Sequence, residues 1–600
     1  MKFRASVAVV FFIFTGTSCS VLNDTAQPRI PEQQPSSNSN QVEIPSVSSA
    51  ASGKVEKTGP QGSVFAPSAT DIKDPGSFYR RDGYENIDVV RMQVITRTGP
   101  GACTQGDQSG CTLTDVLEDT DPGDDFKVGI DVKLITDDLP ETGKRVNATL
   151  RQRGASARLA SQKSFRIRLK EGLWRSEERI KLNKHPDDQS RMSNKLAMDL
   201  MQDLPYLPSL RTQFVNLEID NGDGGVDFGL YTHVESPAKE YLINRRSNKD
   251  DNLYKARFFT FSPSDLSAIE VNELGEPVDQ RRFDRRIEIE RGTDHSKLVE
   301  MVAAINNPDI SFQTILDRYF NANNVLMWVT ANLLLGQVDD GNQNFYLHNP
   351  KGSETFYFLP WDYDGALQVQ KTLTDGNAVE ELRRRRVYGY ADAANNQFLR
   401  QYYLLPGAHE RIVRAAVEVR RQYFSDARIK ELSTRYANVI RPFISNSPDV
   451  DNRGGIPRLR FLRDWEARWQ SFPSVVAGNL ARLSASPNMP LPHRLNLPFS
   501  RDGKTVLWWE RATDISGGDV TYDLEVASQP NFSEGSIAFR SSRIANEPVV
   551  VEFELDRDSL AAGTWYYRVK ARSGSFYQWA NNQENEGGKR YPGVRKFSVR

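Results

Sequence analysis

The sequence predicts an α+β protein in two folded parts, a mixed domain over residues 77–490 and an all-β sandwich over residues 491–600. Three observations carry this reading. At 600 residues the chain is too long for one core, since domains hold roughly 100–200 residues each. Segments alternating with period two, such as KVGIDVKLIT and KSFRIRLK, stand in the same stretch as SRMSNKLAMDLMQDL, whose apolar residues recur at helical spacing. After SASPNMPLPHRLNLP only short alternating runs with regular turns remain.

The chain opens MKFRASVAVVFFIFTGTSCS. Lys2 and Arg4 precede an apolar run and then small residues ending at Cys19. This predicts a secretory signal over residues 1–18, too short to persist as a bilayer span. The letters Gly16, Thr17, Ser18, Cys19 resemble a bacterial lipoprotein box, with Gly16 where a leucine-like residue is usual. The resemblance implies a lipidated Cys19 holding the protein on a periplasmic or external membrane face; plain cleavage is the alternative. Residues 19–76 are dominated by Ser, Pro, Gln, Asn and Ala. Such a segment buries too little surface to offset its ordering entropy and predicts a flexible tether.

Cys103 and Cys111 bound the loop CTQGDQSGC. With no histidine nearby and an export signal in front, they predict a disulfide rather than a metal site or a nucleophile. Further on, Met192, Leu196, Leu200 and Leu204 define a helix with Ser190 as its cap. The stretch DNGDGGVD has the spaced acids of a calcium loop but not its closing glutamate, and reads as a hairpin turn. An apolar helix from 322 to 335 is ended by Gly336, and 410–444 reads as helical. The pairs NFYLHN and ETFYFLPW read as two strands of a hairpin. In the last part, VTYDLEVAS places Val520, Tyr522, Leu524 and Val526 on one face. The order of KTVLWWE, YDLEV and GTWYYRVKA resembles fibronectin type III modules, which are immunoglobulin-like sandwiches.

Composition excludes several functions. With 77 basic and 78 acidic side chains the formal charge is −1, so no overall field holds nucleic acid or an anionic bilayer. The four arginines at 383–386 read as a solvated face. Six histidines form no HxxxH or HxH pair, and neither a GxSxG elbow nor a GxxxxGK[ST] loop occurs.

What remains for chemistry is oxygen and ammonium. Asp339, Asp340, Asn342 and Asn344 follow the apolar helix, and Asp362 and Asp364 flank Tyr363 after FYFLPW. A hairpin brings both groups to one end, where carboxylates and amides suit Mg²⁺ or Mn²⁺. Such residues also serve as turn and cap formers. Upstream, Arg153, Gly154 and Ser156 form a turn-like segment before Lys163. A lysine there meets phosphate oxygens as a point charge, with Glu235 as its partner and Lys255 as a second candidate.

The succession RGAS…QKSFRIRL, IKLNKHPDDQSRMSNKLAMDL, FVNLEIDNGDGGVDFGLYTHVE, NLYKARF, DDGNQNFYLHN and FLPWDYDGAL resembles the CotH family of spore-coat and secreted kinase-like proteins, in order over residues 151–367. The resemblance implies an atypical protein-kinase-like fold that moves phosphate from ATP, with a divalent metal, to Ser or Thr of exported proteins. Carried over by position, Lys163 contacts nucleotide phosphates and Glu235 orients a lysine. Asp339 or Asp340 is the catalytic-loop acid, Asn344 a metal ligand, and Asp362 or Asp364 the metal-binding acid; Asp340 and Asp362 are favoured within their pairs. Arg153 and Ser156 match a nucleotide-side loop. The rival readings are a non-catalytic surface-binding lipoprotein on the same scaffold, and a carbohydrate-active enzyme using two carboxylates beside Trp361. Trp361 itself reads as a core residue under the hairpin.

Overall fold

A computed structural model describes residues 62–600, apart from 97–100, 103–108, 122–127, 141–142, 155, 338–340, 369–395, 453, 485–489, 492, 516, 548–549, 557–558, 581 and 600. The expected signal segment, Cys19, Cys103, the acids at 339 and 340 and the arginine run at 383–386 lie outside the described residues. Cys111 is disulfide-bonded.

Seven strands close a barrel: β1 (Val90–Thr96), β2 (Gly129–Thr136), β3 (Ala148–Gln152), β4 (Phe165–Leu169), β5 (Arg179–Asn183), β6 (Thr212–Asp220) and β7 (Gly225–Val234). Their order is β1-β2-β3-β4-β5-β7-β6, and β6 runs parallel to β1 at the closure. The expected alternation fills the interior with Val94, Val132, Leu150, Ile167, Ile180 and Leu217. It also aims every second residue outward. Register sets Arg151 opposite Arg166, and Arg166 opposite Lys181. Three cations thus stand in a row across β3, β4 and β5, an arrangement that destabilises a sheet by itself.

A second sheet, ordered β9-β8-β10-β11, is built from β8 (Asn252–Ala256), β9 (Ile287–Arg291), β10 (Phe345–Asn349) and β11 (Tyr357–Pro360). It covers that outer barrel face, and Arg179 of the barrel pairs with Glu290 of β9 at 3.2 Å. Behind it runs the helix predicted from 322 to 335, here α2, Ala322–Leu335, buried almost all round and ended by Gly336 at φ 65°. Asn324 of α2 donates to the carbonyl of Phe358 at 3.1 Å and accepts its N–H at 2.7 Å, clamping helix to β11.

Three sequence expectations change. The helix α1, Ser193–Met201, does begin in the predicted stretch, but its first N–H, that of Ser193, is taken by Asp188, which also accepts from the Ser190 N–H and hydroxyl, while the Ser190 oxygen accepts from Met192 N at 3.2 Å, one residue ahead of the helix. A carboxylate two residues before Ser190 thus takes the first helical N–H, and the serine takes that of the residue before the helix. The 410–444 stretch is two helices, α3 (Ala408–Gln422) and α4 (Asp426–Ile444), because Ser425 accepts from Arg428 N and starts a new one. The flexible tether does not reach residue 76. Ser63 donates to Glu418 at 2.8 Å, and Phe65 is buried and stacked on Tyr206. Asp71 accepts from Asn321 and Asn323, each at 3.0 Å, and Asn323 also donates to the Ala66 carbonyl at 2.6 Å. One large ring and one carboxylate dock this arm, against its otherwise linker-like composition.

The last part holds two larger antiparallel sheets, beside a two-stranded one of Gln583–Glu586 and Lys589–Pro592. One is β12 (Phe499–Arg501), β13 (Lys504–Glu510) and β16 (Val550–Leu555); the other orders β15 (Ile537–Ala545), β14 (Thr521–Ala527), β17 (Gly563–Ser573) and β18 (Phe576–Trp579), with β19 (Val594–Val599) also on β17. Leu507 and Trp509 of the first meet Tyr522, Leu524, Val526 and Val569 of the second in one core.

Candidate functional site

The β10–β11 hairpin aligns Phe345 with Pro360, so Asn344 and the turn Trp361-Asp362-Tyr363-Asp364 leave the sheet at one end, as the alternation predicts. Both flanks are bent sharply: Asn344 has φ 62° and Asp362 has φ 57°. Non-glycine residues hold that conformation only where their surroundings impose it. Here Gln337 donates to the Asp362 carbonyl at 3.0 Å, the Tyr363 N–H reaches Asn194 Oδ1 at 3.1 Å, the Tyr363 hydroxyl donates to Asn332, and Leu367 N bonds the Leu335 carbonyl at 2.7 Å. Helices α1 and α2 therefore fix the acid turn.

Trp361 is 2% exposed, buried as expected. Its ring is also a meeting place for cations. Lys181 Nζ lies 4.4 Å from the ring centroid, Lys255 Nζ 5.6 Å and the Arg153 guanidinium carbon 5.7 Å. Tyr346 meets the same ring edge-on at 5.3 Å. Its hydroxyl is buried without a hydrogen bond among the described residues. Lys181 is 7% exposed, and its ammonium has no hydrogen bond or ion pair among the described residues.

The acids stand beside these cations. His185 Nδ1 lies 3.1 Å from Asp364 Oδ2, and one donor atom each of His185, Asp362 and Asp364 falls within a 4.8 Å span.

The electrostatics follow from burial. Burial, reinforced by Lys255, Arg153 and Arg166 and opposed by Glu290, pushes the Lys181 ammonium down to about 7. Burial lowers Arg153 as well, against the pull of Asp362, Tyr346 and Asp364. Burial and then the Asp364 charge raise Asp362, despite His185, Arg153 and Lys255. Burial opposes charge on His185, but the hydrogen bond and charge of Asp364 outweigh it and raise the ring. Lys181 and Arg153 are pulled toward neutrality and Asp362 toward protonation, as desolvated groups are when their counter-charges do not suffice. A polyanion would restore the former and a divalent cation the latter. The donor set fits both.

Of the residues singled out from sequence, Arg153, Lys255, Asp362 and Asp364 come together here, and Asn344 sits at the same hairpin end. Two do not join them. Lys163 donates to the Arg158 carbonyl at 2.5 Å. Its alternation from Phe165 and Ile167 puts it in step with the barrel-facing set, whereas Arg166 is in step with the cations. Among the described residues Glu235 faces no lysine: it accepts from Arg211 at 3.0 Å and from Arg245 at 3.0 Å, fully buried. The acid whose charge reaches the site lysine is Glu290. The Asp339, Asp340 and Ser156 side chains lie outside the described residues. Sequence reasoning missed Lys181, His185, Tyr346 and Glu290. The signal for Lys181 was its parity in IKLN, between inward Ile180 and Leu182.

The family model described as CotH kinase protein matches residues 150–476, which contain every site residue named above. Inner spore coat protein H of Bacillus subtilis (strain 168) is 25% identical over 228 residues, covering 37% of this chain and 59% of that protein. The match therefore spans less than two thirds of that relative's length.

Proposed function

Because the chain belongs to the CotH kinase protein family, with residues 150–476 of 600 matched, we propose that it transfers the γ-phosphoryl group of ATP to Ser or Thr hydroxyls of exported proteins. The observation that carries this reading is the cluster of Lys181, Lys255 and Arg153 around Trp361, next to the Asp362–Asp364 turn.

Phosphoryl transfer asks a protein for positioning and charge neutralisation more than for covalent chemistry. Asp362 and Asp364, with Asn344, hold Mg²⁺ or Mn²⁺ through oxygen. The bound cation supplies neutralisation of phosphate charge. Lys181, Arg153 and Lys255 take phosphate oxygens and gain the anion they lack, while the buried rings of Trp361 and Tyr346 pack against them and keep water away. The acceptor oxygen attacks the γ-phosphorus, the bond to the bridging oxygen breaks, ADP departs, and the hydroxyl proton passes to Asp340 or Asp339. Three cations around the tryptophan favour a polyanion over a neutral sugar, which argues against glycoside hydrolysis.

The proposal extends to the chain's ends. Residues 1–18 direct export, a lipid on Cys19 holds the protein at a periplasmic or external membrane face, and the substrates are proteins of that surface. The pairing of β12-β13-β16 against β15-β14-β17-β19 supports reading the last part as a fibronectin type III-like module that spaces or docks the enzyme. No nucleic acid takes part.

The test is Mg-ATP binding and ³²P transfer to self and to a generic protein by the full chain, beside Lys181→Met, Asp362→Ala and Asp340→Ala. Binding and transfer in the wild type, with transfer lost in folded variants, is the expected result. A folded wild type that neither binds nucleotide nor transfers phosphate with Mg²⁺ or Mn²⁺ supports the surface-binding alternative.

A further inference from the structure

His185 can serve the acid turn in two ways, as a ligand to a cation or as a prop for one acid. Its position allows both, because its nitrogen and the oxygens of Asp362 and Asp364 fall within 4.8 Å of one another. The polarity of the hydrogen bonds decides between them. The backbone N–H of Tyr363 can only donate, and it points at Asn194 Oδ1 at 3.1 Å. The other terminal atom of Asn194 is therefore its NH₂ group, which faces His185 Nε2 at 3.1 Å. An imidazole nitrogen that receives an N–H must carry a lone pair, so the ring proton of the neutral histidine sits on Nδ1. That nitrogen stands 3.1 Å from Asp364 Oδ2 and donates to it. A ring in this state turns an N–H, not a lone pair, toward the acids.

We propose that His185 is a positioning residue and not a metal ligand: the relay from Tyr363 N–H through Asn194 and His185 ties down Asp364 Oδ2 and leaves the other oxygen of Asp364 for the cation. The relay begins in the turn that it ends on, since Tyr363 lies between Asp362 and Asp364. Its members are sequestered, with Asn194 1% exposed and His185 5% exposed, so water has little access to exchange with either bond. His185 itself has φ 49°, a conformation an L-residue keeps only when the surrounding fold holds it. Outer partners of this kind orient a carboxylate and tune its affinity for metal.

This inference rests on the cation reading of the acid turn, and the experiment separates the two. Mn²⁺ is added to the full-chain protein with and without ATP, and electron spin-echo modulation is recorded for ¹⁴N- and ¹⁵N-histidine samples beside His185→Asn and His185→Leu. The expected outcome is Mn²⁺ binding with no nitrogen coupling from a directly bonded imidazole. His185→Asn, which keeps an N–H donor toward Asp364, holds Mn²⁺ within about 3-fold of wild type, and His185→Leu weakens it by about 10- to 100-fold. In the cation-free protein, ¹⁵N NMR shows the Nδ1–H tautomer. A directly coordinated imidazole nitrogen that disappears in both variants overturns the positioning role while leaving the cation site standing. No Mn²⁺ binding under any condition overturns the cation reading and this role with it.

Discussion

Two buried charge clusters stand in the same domain and are wired oppositely. Around Glu235 every partner is supplied: Arg211 and Arg245 grip the carboxylate, Arg245 also holds Asp74 at 2.6 Å, and Arg211 holds Asp82 at 3.0 Å. Around Trp361 the cations Lys181, Arg153 and Lys255 converge without such partners among the described residues. The first cluster keeps its acid ionised in spite of burial, with Arg245 and Arg211 holding Glu235 at about 2. The second lets burial win, and Lys181 falls to about 7. A closed network serves the fold; a network open by several charges is stable only in part and awaits a ligand.

The comparison breaks first at Glu235. Glu235→Ala removes the acid that two buried guanidiniums share, leaving each with only its less buried partner, Asp74 or Asp82, and its unfolding free energy by urea titration drops by about 3 kcal/mol. Lys181→Met should do the reverse. Removing an unpaired buried ammonium leaves stability unchanged or higher, while affinity for Mg-ATP, read by calorimetry, falls by about 10- to 150-fold. Equal destabilisation by both variants would erase the distinction.

Acid and base sharpen it further. Glu235 is depressed from its ordinary value, so its contribution is fully present above about 4.5 and is lost as pH falls toward about 2. Lys181 is depressed too, but it is a cation. Between about 7 and its ordinary 10.5 the unfolded chain binds the extra proton, so stability rises with pH across that window. Urea midpoints should rise by the equivalent of about 2 kcal/mol from pH 7 to 9 in the wild type, and that part of the rise should vanish in Lys181→Met. Nucleotide that restores the ammonium takes up part of a proton at pH 8. Calorimetry in buffers of different ionisation enthalpy reads that uptake as a slope, absent in Lys181→Met. The smallest effect belongs to Lys163→Met, expected to alter nucleotide affinity by less than about 2-fold, because its ammonium bonds the Arg158 carbonyl away from the tryptophan.

Local patterns were legible in the letters. The period-two runs became β2 and β4, the apolar helix ended at Gly336, and the hairpin delivered Asn344 and the acid turn to one end. What was not legible depended on surfaces meeting from afar. Lys163 and Lys181 are both strand-associated lysines in sequence, and only the covering of the outer barrel face by β8–β11 makes one of them a site residue. Glu235 likewise drew its arginines from positions 24 and 10 residues away in opposite directions, a choice no spacing rule encodes.

The docked arm at residues 63–71 also has a mechanical meaning. It grips Asn321 and Asn323, at the very start of α2. Load on this arm is shared between Glu418 of α3, which takes the Ser63 hydroxyl, and the start of α2, and α2 acts as a stiff rod of 14 residues, about 21 Å at the helical rise. The far end of that rod is Leu335, whose carbonyl holds the acid turn through Leu367. Load applied at one end of the helix is therefore felt at the carboxylates on the other.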